Sequence, residues 1–495
     1  MAKESPEIIL AGIKLSRQLA TPLYLQLYEQ LRAMILAGRL RPGDRLPPGR
    51  NLAKELGVAR VIVSQAYEQL VMEGYVTGKT GAGTFVAEKL PDHLLNATRN
   101  GQVPSKATAP PVKPLAARPA ENAQTGSRIE AVPFQVGMPA LDQFPYKLWQ
   151  QSGNQVLKNF KQAHLGYEDT LGCWNLRKAI AAYLRIARAV TCEAEQVIVV
   201  TGSQQGLNLV VECLLNKGDK VWMEDPGYHG ARIAFTNAGV IPCPIPIEAD
   251  GLNVAHGVQH FPDAKLAYVT PSHQFPMGCT LSHGKREQLL DWARQQQSWI
   301  LEDDYDSEFR YEGRPLPSLQ GMDTGGRVIY SGTFSKVLFP GLRLAYIVLP
   351  TVQMVNEFKR VKDNQDRQSP VMEQLILCDF MEGGYFLRHI RKMRLLYAER
   401  QQQLLHLLQT HLKDQLRVSV APSGMHVLCW LPEDIDMTKF KEAIQKERLA
   451  IAFVSYFTIQ YKLSPAIMLG FTAYTKYKMK VGVEKLVLCL REACP

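Results

Sequence analysis

The segment 331–346 places a lysine among residues that could hold a phosphate. Thr333 and Ser335 precede Lys336, and Arg343 follows seven positions after it. A lysine amine can form a Schiff base with an aldehyde, hydroxyl groups can bind a phosphate or the lysine, and an arginine can bind a phosphate dianion bidentately. Most lysines are solvated surface charges, so Lys336 alone also fits a turn. Together, the four residues predict a site for a phosphate-bearing aldehyde cofactor.

The composition is that of a globular protein long enough for more than one domain. The chain has 495 residues, 46% hydrophobic and 21% charged, and its formal charge of +10 permits an acidic partner such as nucleic acid. Nine dispersed cysteines without a Cys-x-x-Cys pair argue against disulfides and thiolate metal sites and favour a reducing cytoplasm. No apolar run or signal-peptide pattern predicts a membrane segment, and no metal site is predicted.

Local composition divides the chain into three regions. Residues 14–88 alternate short helical patterns with turns, whereas residues 89–130 scatter prolines among polar residues, which is typical of a flexible linker. From 131 to 495, β-type runs alternate with amphipathic helices, which predicts an α/β domain with a mainly parallel sheet. The clearest β-type runs are 196–201, 220–224, 264–270, 299–302 and 327–330.

The N-terminal region has the pattern of a winged helix-turn-helix. One helical pattern ends near Gly38, a second ends at Gly57, and a third spans 60–73 before a hairpin of 75–77 and 84–86. In such a domain the third helix enters the major groove, where Gln65 could read adenine and Val61 could touch a thymine methyl. The predicted DNA contacts are Arg45, Arg50, Arg60, Val61, Ser64, Gln65, Lys79, Thr80 and Gly81. A small helical domain for protein contact is the alternative.

Residues 21–86 resemble a GntR-type DNA-binding domain from end to end. The matching motifs are Pro22-Leu-Tyr, Gly38-Arg-Leu-Arg-Pro-Gly-Asp-Arg-Leu-Pro47, Ala66-Tyr-Glu-Gln-Leu70 and Gly81-Ala-Gly-Thr-Phe-Val86. Where the family usually opens the recognition helix with Ser or Thr, this chain has Ala59. Without that N-cap, we expect the helix start to be weaker by about 1 kcal/mol.

Two further segments in the C-terminal region could serve a phosphate-bearing cofactor. Thr201-Gly-Ser-Gln-Gln205 follows a strand pattern and opens a helix pattern, so backbone N–H groups there suit a phosphate, with Ser203 and Gln204 adding side-chain contacts. The segment Glu302-Asp-Asp-Tyr-Asp-Ser-Glu-Phe309 is acidic and follows another strand pattern. By itself, the acidic segment is also compatible with a loop at a sheet edge.

Residues 134–475 resemble the fold-type I aminotransferases, which use pyridoxal 5′-phosphate (PLP). The resemblance implies that Lys336 forms the Schiff base and that Asp303 keeps the pyridine nitrogen protonated, with Asp304 as the alternative. It also implies that Tyr305 binds the phenolic oxygen of the ring.

The resemblance extends to three residues outside these segments. Tyr228, in Glu224-Asp-Pro-Gly-Tyr228, would stack on the pyridine ring. His273, in Thr270-Pro-Ser-His-Gln-Phe-Pro-Met-Gly278, could lie near the cofactor or be structural. Tyr167 matches a tyrosine that reaches the phosphate bound by the other subunit, which implies a homodimer.

The combination of both halves is similar to the MocR family of bacterial regulators. The resemblance implies a cytoplasmic DNA-binding protein, nucleoid-associated when bound, that uses PLP for sensing and binds paired half-sites as a dimer. The amine-sensing members usually carry an arginine where this chain has Met468, and that arginine clamps a carboxylate. Its loss suggests that PLP itself is the effector, as in the PdxR branch that controls vitamin B6 synthesis. On this interpretation the chain is not an enzyme, although residual transaminase activity is compatible with it.

Three alternatives remain open from the sequence. The chain could be a working aminotransferase that also binds DNA, since Asp303, Tyr305 and Lys336 form a complete set. It could sense an ω-amino acid such as GABA or taurine through a Schiff base on PLP. Finally, PLP could serve only a structural purpose. The operator, the target genes and the sign of regulation are not readable from the sequence.

Overall fold

The computed structural model describes residues 12–19, 21–79, 83–88, 132–313 and 317–494. The chain divides into two compact units, Met1–Thr125 and Gly126–Pro495. The border falls within the segment 89–130, which lies outside the described residues, so the linker stays a prediction. Thr80 and Gly81 also lie outside the described residues.

Within the described part of the N-terminal unit, three helices precede a β-hairpin. The helices are α1 (Leu23–Leu36), α2 (Gly49–Glu55) and α3 (Arg60–Met72), and the strands are β1 (Val76–Lys79) and β2 (Gly83–Val86). The apolar residues at helical spacing form one core, in which Leu31, Val63 and Leu70 are completely buried. The two strands pair antiparallel, with Val76 opposite Val86. This is the winged helix-turn-helix that the sequence predicts.

Glycine and alanine set the ends of the short helices. Residues Gly57 and Gly74 follow α2 and α3 with φ of 63° and 78°, a left-handed conformation that suits glycine and ends a helix. Ala59 precedes α3 and provides no side-chain cap. The recognition helix therefore starts with N–H groups that its own N-cap residue does not satisfy.

The C-terminal unit alternates strands and helices. Its first half contains α4 (Tyr146–Lys158), α5 (Trp174–Arg188), β3 (Val197–Val200), α6 (Ser203–Leu214), β4 (Lys220–Asp225), α7 (His229–Asn237), β5 (Ile241–Glu248), β6 (Gly251–Leu252), α8 (Val254–His260), β7 (Leu266–Val269) and α9 (His283–Gln295). Its second half contains β8 (Trp299–Asp304), α10 (Leu319–Met322), β9 (Val328–Thr333), β10 (Ala345–Val348), α11 (Val355–Gln365), α12 (Val371–Glu382), α13 (Tyr385–Leu412), β11 (Arg417–Ser419), β12 (His426–Trp430), α14 (Met437–Lys446), β13 (Ala452–Phe453), β14 (Ala466–Gly470) and α15 (Lys476–Ala493).

An eight-stranded sheet forms the centre of this unit. Its order is β3-β10-β9-β8-β7-β4-β5-β6, and the pairs from β9 across to β5 are parallel. β10 runs antiparallel to both of its neighbours, and β6 runs antiparallel to β5. A smaller antiparallel sheet has the order β11-β12-β14-β13. The predicted α/β class with a mainly parallel sheet is confirmed.

The large sheet is buried on both faces. In β3, Val197 and Val199 belong to one hydrophobic cluster, whereas Ile198 and Val200 belong to another. This alternation places successive side chains on opposite faces, and helices cover both of them. The carboxyl ends of parallel strands share one edge, so the segments after β3, β4, β7, β8 and β9 meet there. Those are the segments in which the sequence predicts a cofactor site.

Within the described ranges, no helix is long and apolar enough to cross a membrane. The same residues hold no group of three or more His, Cys, Asp or Glu side chains that could bind a metal ion.

Candidate functional site

Lys336 lies in the turn that follows β9, shortly after Thr333, the last residue of that strand. Its Nζ donates a hydrogen bond to the backbone oxygen of Gly137 at 3.0 Å. Burial lowers the pKa of Lys336, while the carboxylates of Asp306 and Asp303 act in the opposite direction. A lowered pKa increases the neutral amine fraction, which is the form that attacks an aldehyde.

Asp303 is a buried carboxylate that faces Lys336 and has one oxygen available. Its Oδ2 accepts a hydrogen bond from the Tyr268 hydroxyl at 2.6 Å. Its Oδ1 is buried and has no hydrogen-bond partner among the described residues. Burial raises the pKa of Asp303 to about 6, because the ionised form is poorly solvated there. A cationic N–H placed at Oδ1 would satisfy this oxygen and stabilise the charge.

Asp304 belongs to the opposite face of the sheet. Its Oδ2 accepts hydrogen bonds from Arg188 Nε at 2.7 Å and from the Tyr330 hydroxyl at 2.5 Å. Successive residues of a strand point to opposite faces, so two adjacent aspartates cannot share one site. The geometry therefore favours Asp303 over Asp304 as the partner of a cofactor held by Lys336.

Tyr305 and His273 are in direct contact at the same edge. The Tyr305 hydroxyl donates to the backbone oxygen of His273 at 3.0 Å and lies 3.0 Å from its Nδ1. That Nδ1 lies 3.0 Å from Oδ2 of Asp306. Asp306 was not among the predicted site residues. Its position directly after Tyr305 in an acidic segment could have indicated that it lies near the site.

The side chains predicted to bind a phosphate come from two segments. Helix α6 begins at Ser203, and a Cβ atom at Gly202 would lie 3.3 Å from Nη2 of Arg343, so the guanidinium is next to this helix start. The Ser335 backbone N–H donates to Thr333 Oγ1 at 3.2 Å. Free backbone N–H groups and a guanidinium at a helix start are suited to a phosphate.

Gln204 is at the edge of this group. Its Nε2 donates to the backbone oxygen of Gly230 at 3.2 Å. The Tyr228 ring packs directly against the backbone of Gly230, because a Cβ atom at Gly230 would overlap the ring. Gln204 thereby connects the start of α6 to the first turn of α7, which Tyr228 precedes.

Tyr228 lies close to Asp303. Burial raises the pKa of Tyr228, and the charge of Asp303 raises it further. Its ring meets the ring of Phe275 edge to face, with centroids 6.1 Å apart. Glu224, in β4, joins that strand to the start of the loop after β7, because it accepts hydrogen bonds from the Thr270 hydroxyl at 2.6 Å and the Thr270 N–H at 3.1 Å.

Met468 is completely buried in an apolar cluster beside this edge. Leu428 and Val454 belong to the same cluster, and Val136, Phe275, Met277 and Phe457 pack against it. Val136 precedes Gly137, whose backbone oxygen holds Lys336. Met468, at the position where the resemblance implies an arginine in amine-sensing members, is therefore surrounded by apolar side chains.

Tyr167 is exposed, whereas most of the other predicted cofactor ligands are buried or half-buried. Its side chain is 82% exposed, and the Arg367 guanidinium lies 4.5 Å from its ring centroid. Within its own chain, Tyr167 is thus placed at the surface.

Sequence reasoning missed several residues that complete the site. Tyr268 holds Asp303, Gly137 holds Lys336, and Phe275 packs on Tyr228 and Tyr305. Gly137 is 199 positions from Lys336, and no local pattern links them. Tyr268 had a weak signal, because it lies in a strand pattern that pairs with the strand carrying Asp303.

The predicted DNA-reading face of α3 is accessible in the N-terminal unit. Val61 is 58% exposed, and Arg60 and Gln65 are also exposed. Ser64 is half-buried and lines, with Arg50 and Arg60, a groove of about 660 Å³. Arg45 is exposed and bridges to Phe85 of the hairpin, whereas Lys79 ends β1 and its side chain lies outside the described part of the chain.

The hydrogen-bond donors and acceptors of the C-terminal site match the groups of pyridoxal phosphate. Among the described residues, the buried Oδ1 of Asp303 has no partner and is available to a protonated ring nitrogen, and Lys336 has an amine of lowered pKa for the aldehyde. The start of α6 and Arg343 supply positive potential for the phosphate.

Comparison with known proteins matches both units to families. Residues 23–86 match the family described as bacterial regulatory proteins, gntR family, and residues 131–486 match aminotransferase class I and II. The chain is 37% identical over 472 residues to a probable rhizopine catabolism regulatory protein MocR of Rhizobium meliloti, covering 95% of this chain and 94% of that protein. It is 30% identical to the pyridoxine biosynthesis transcriptional regulator PdxR of Corynebacterium glutamicum, covering 83% and 84%.

A solved structure of Pyrococcus horikoshii kynurenine aminotransferase is similar to the C-terminal unit. Its TM-score is 0.67 with 27% identity, covering 72% of this chain and 90% of that one. The chain therefore belongs to the MocR family of transcriptional regulators, in which a GntR-type DNA-binding domain is joined to an aminotransferase-like domain for pyridoxal phosphate.

Proposed function

We propose that this regulator senses PLP itself and controls genes of vitamin B6 synthesis. The observation that carries the proposal is Met468, which is completely buried among apolar side chains. A carboxylate brought to this position would lack the charged partner that an arginine provides. Losing such a pair costs roughly 2–5 kcal/mol, so we expect amino acids to bind poorly.

The residues around Lys336 have distinct tasks in this proposal. When bound, PLP supplies an aldehyde for the lysine and a ring that withdraws electrons. Asp303 holds the ring nitrogen protonated through Oδ1, Tyr305 donates to the phenolic oxygen beside His273, and Tyr228 stacks on the ring. The phosphate is held by Ser203, Gln204, Thr333, Ser335 and Arg343.

The high exposure of Tyr167 supports a contact between its side chain and the phosphate bound by a second copy in a homodimer.

The N-terminal unit reads DNA in this proposal. The exposed face of α3 enters the major groove, where Gln65 and Val61 meet base edges and Arg45, Arg50 and Arg60 meet phosphates. Two copies in a homodimer would occupy paired half-sites in a bacterial cytoplasm. Lys79, Thr80 and Gly81 would contact the DNA backbone.

A DNA-binding titration tests the proposal. The full chain would be titrated onto its own upstream region with and without PLP, for the wild type, Lys336→Ala and the control Lys178→Ala at an exposed helix position. We expect PLP to change the affinity of the wild type and the control but not of Lys336→Ala. An equal PLP response in Lys336→Ala would show that the cofactor is structural or acts elsewhere.

The complete set of Asp303, Tyr305 and Lys336 favours a second candidate, transamination. Mixing the PLP-loaded protein with a panel of α- and ω-amino acids, including GABA and taurine, separates the candidates. Rapid conversion of the cofactor to pyridoxamine phosphate would favour an aminotransferase. A spectral change without conversion, accompanied by altered DNA binding, would favour an ω-amino acid sensor.

A further inference from the structure

A buried acid–imidazole pair lies behind Tyr305. Nδ1 of His273 and Oδ2 of Asp306 are 3.0 Å apart, and both side chains are only 1% exposed. The same Nδ1 lies 3.0 Å from the Tyr305 hydroxyl. Asp306, His273 and Tyr305 therefore form a continuous chain of contacts that leads from the interior to the cofactor edge.

The His273 ring has little freedom to move. The backbone at Gly424, with φ of 94°, passes so closely that a Cβ atom there would overlap the ring. The His426 ring packs on another side, with centroids 5.2 Å apart, and its Nε2 contacts the backbone oxygen of Pro276 at 3.1 Å. Burial lowers the pKa of His426 to about 3, so this second histidine is neutral and adds no charge.

Asp306 adds a polar contact to the packing that holds the His273 ring. Burial raises the pKa of Asp306, and the neighbouring His273 opposes that rise. A carboxylate that accepts from Nδ1–H fixes both the tautomer and the rotation of the ring. Among the described residues, the charges of Asp303, Lys336 and, from the opposite face of the sheet, Asp304 also act on this pair, and Tyr311 lies close enough to feel the charge of Asp306.

We propose that Asp306 and His273 are positioning residues for Tyr305. Asp306 fixes the His273 ring, and its Nδ1–H, which lies 3.0 Å from both Asp306 Oδ2 and the Tyr305 oxygen, is shared between them. The Tyr305 hydroxyl proton, which the His273 backbone oxygen accepts in this structure, can then turn to the phenolic oxygen of the cofactor. This inference depends on the proposed placement of PLP but not on PLP being the effector. In the competing explanation, the pair contributes only to folding.

The pH titration of the bound cofactor's absorbance is the readout, because folding alone does not move it. A hydrogen bond donated to the phenolic oxygen stabilises its negative charge and weakens its attraction for the proton shared with the Lys336 linkage. Tyr305→Phe should therefore raise the pH midpoint of the absorbance change by about one unit. Asp306→Asn and His273→Gln should raise it in the same direction, by a smaller amount.

The decisive measurement is a double-mutant cycle in the full PLP-loaded chain. If the pair acts through Tyr305, then Asp306→Asn and His273→Gln should have no further effect in a Tyr305→Phe background. His426→Gln is the matched control, since this buried histidine packs on the same ring but contacts Pro276 instead; it should leave the midpoint unchanged.

Each result has a defined meaning. Shifts that persist in the Tyr305→Phe background, or a shift of equal size for His426→Gln, overturn the proposal, as does an unchanged midpoint in the single variants. Should Asp306→Asn lose the cofactor, His273→Gln decides, because it keeps the carboxylate in place. A wild-type chain that binds no PLP would overturn the proposed function as well, whereas a PLP-binding chain without coupling overturns this inference alone.

Discussion

Replacing Asp303 by Asn should have opposite effects on the cofactor-free chain and on PLP binding. In the folded chain the pKa of this carboxyl is about 6, compared with 3.8 when unperturbed. The difference of about 2 pKa units corresponds to roughly 3 kcal/mol of destabilisation. Since the folded pKa is raised, this cost is absent below about pH 3.8 and fully present above about pH 6.

The amide removes that cost at neutral pH but introduces a buried N–H pair with no partner. An unsatisfied buried donor costs about 1–3 kcal/mol, so we expect a net gain of about 1 kcal/mol for the cofactor-free chain at pH 7. Tyr268 can still donate to the amide oxygen. For PLP the sign reverses, because the ring nitrogen loses its anionic partner; a loss of roughly 2–5 kcal/mol weakens binding by a factor of about 30 or more.

Two measurements check this prediction. Thermal unfolding without cofactor at pH 5 and pH 8 gives the stability difference, which should be larger at pH 8, and a PLP titration gives the affinity. Asp304→Asn is the matched control, because it removes the partner of buried Arg188 and should destabilise the chain at both pH values. An Asp303→Asn chain that is destabilised like the control and binds PLP normally would refute the reasoning.

Three shorter predictions concern other parts of the molecule. Ala59→Ser should supply the missing N-cap of α3 and stabilise the N-terminal unit by about 1 kcal/mol in thermal unfolding, and an unchanged midpoint would contradict it. Arg60→Ala should weaken DNA binding on all sequences and reduce the slope of log affinity against log salt by about 1, whereas an unchanged slope would remove Arg60 from the phosphate contacts. Asp225→Asn should loosen the segment 459–461, whose three backbone N–H groups donate to this carboxylate at 2.7–2.9 Å, and protease cleavage there should become faster than in the wild type.

Much of the architecture could be predicted from local patterns. The helices of the N-terminal unit follow from apolar residues at helical spacing and from glycines that end them, and these signals lie within a few positions of each other. The alternation of β-type runs and helices was sufficient to predict the parallel sheet. The antiparallel strand β10 was not predicted, because its direction depends on pairing with β3 and β9 rather than on its own residues.

The sequence by itself determined which residue types were available for a cofactor: a lysine that follows two hydroxyl residues, adjacent aspartates at a strand end, and a helix start after a Gly-Ser turn. Only the tertiary structure decided which aspartate faces Lys336, because Arg188 and Tyr330 donate hydrogen bonds to the carboxylate of Asp304 on the other face of the sheet. It also brought Gly137, Tyr268 and the Asp306–His273 pair to the site. The reason is physical: a side chain's type is a local property, whereas its burial and its partners depend on strands that are neighbours in the sheet but distant in the chain.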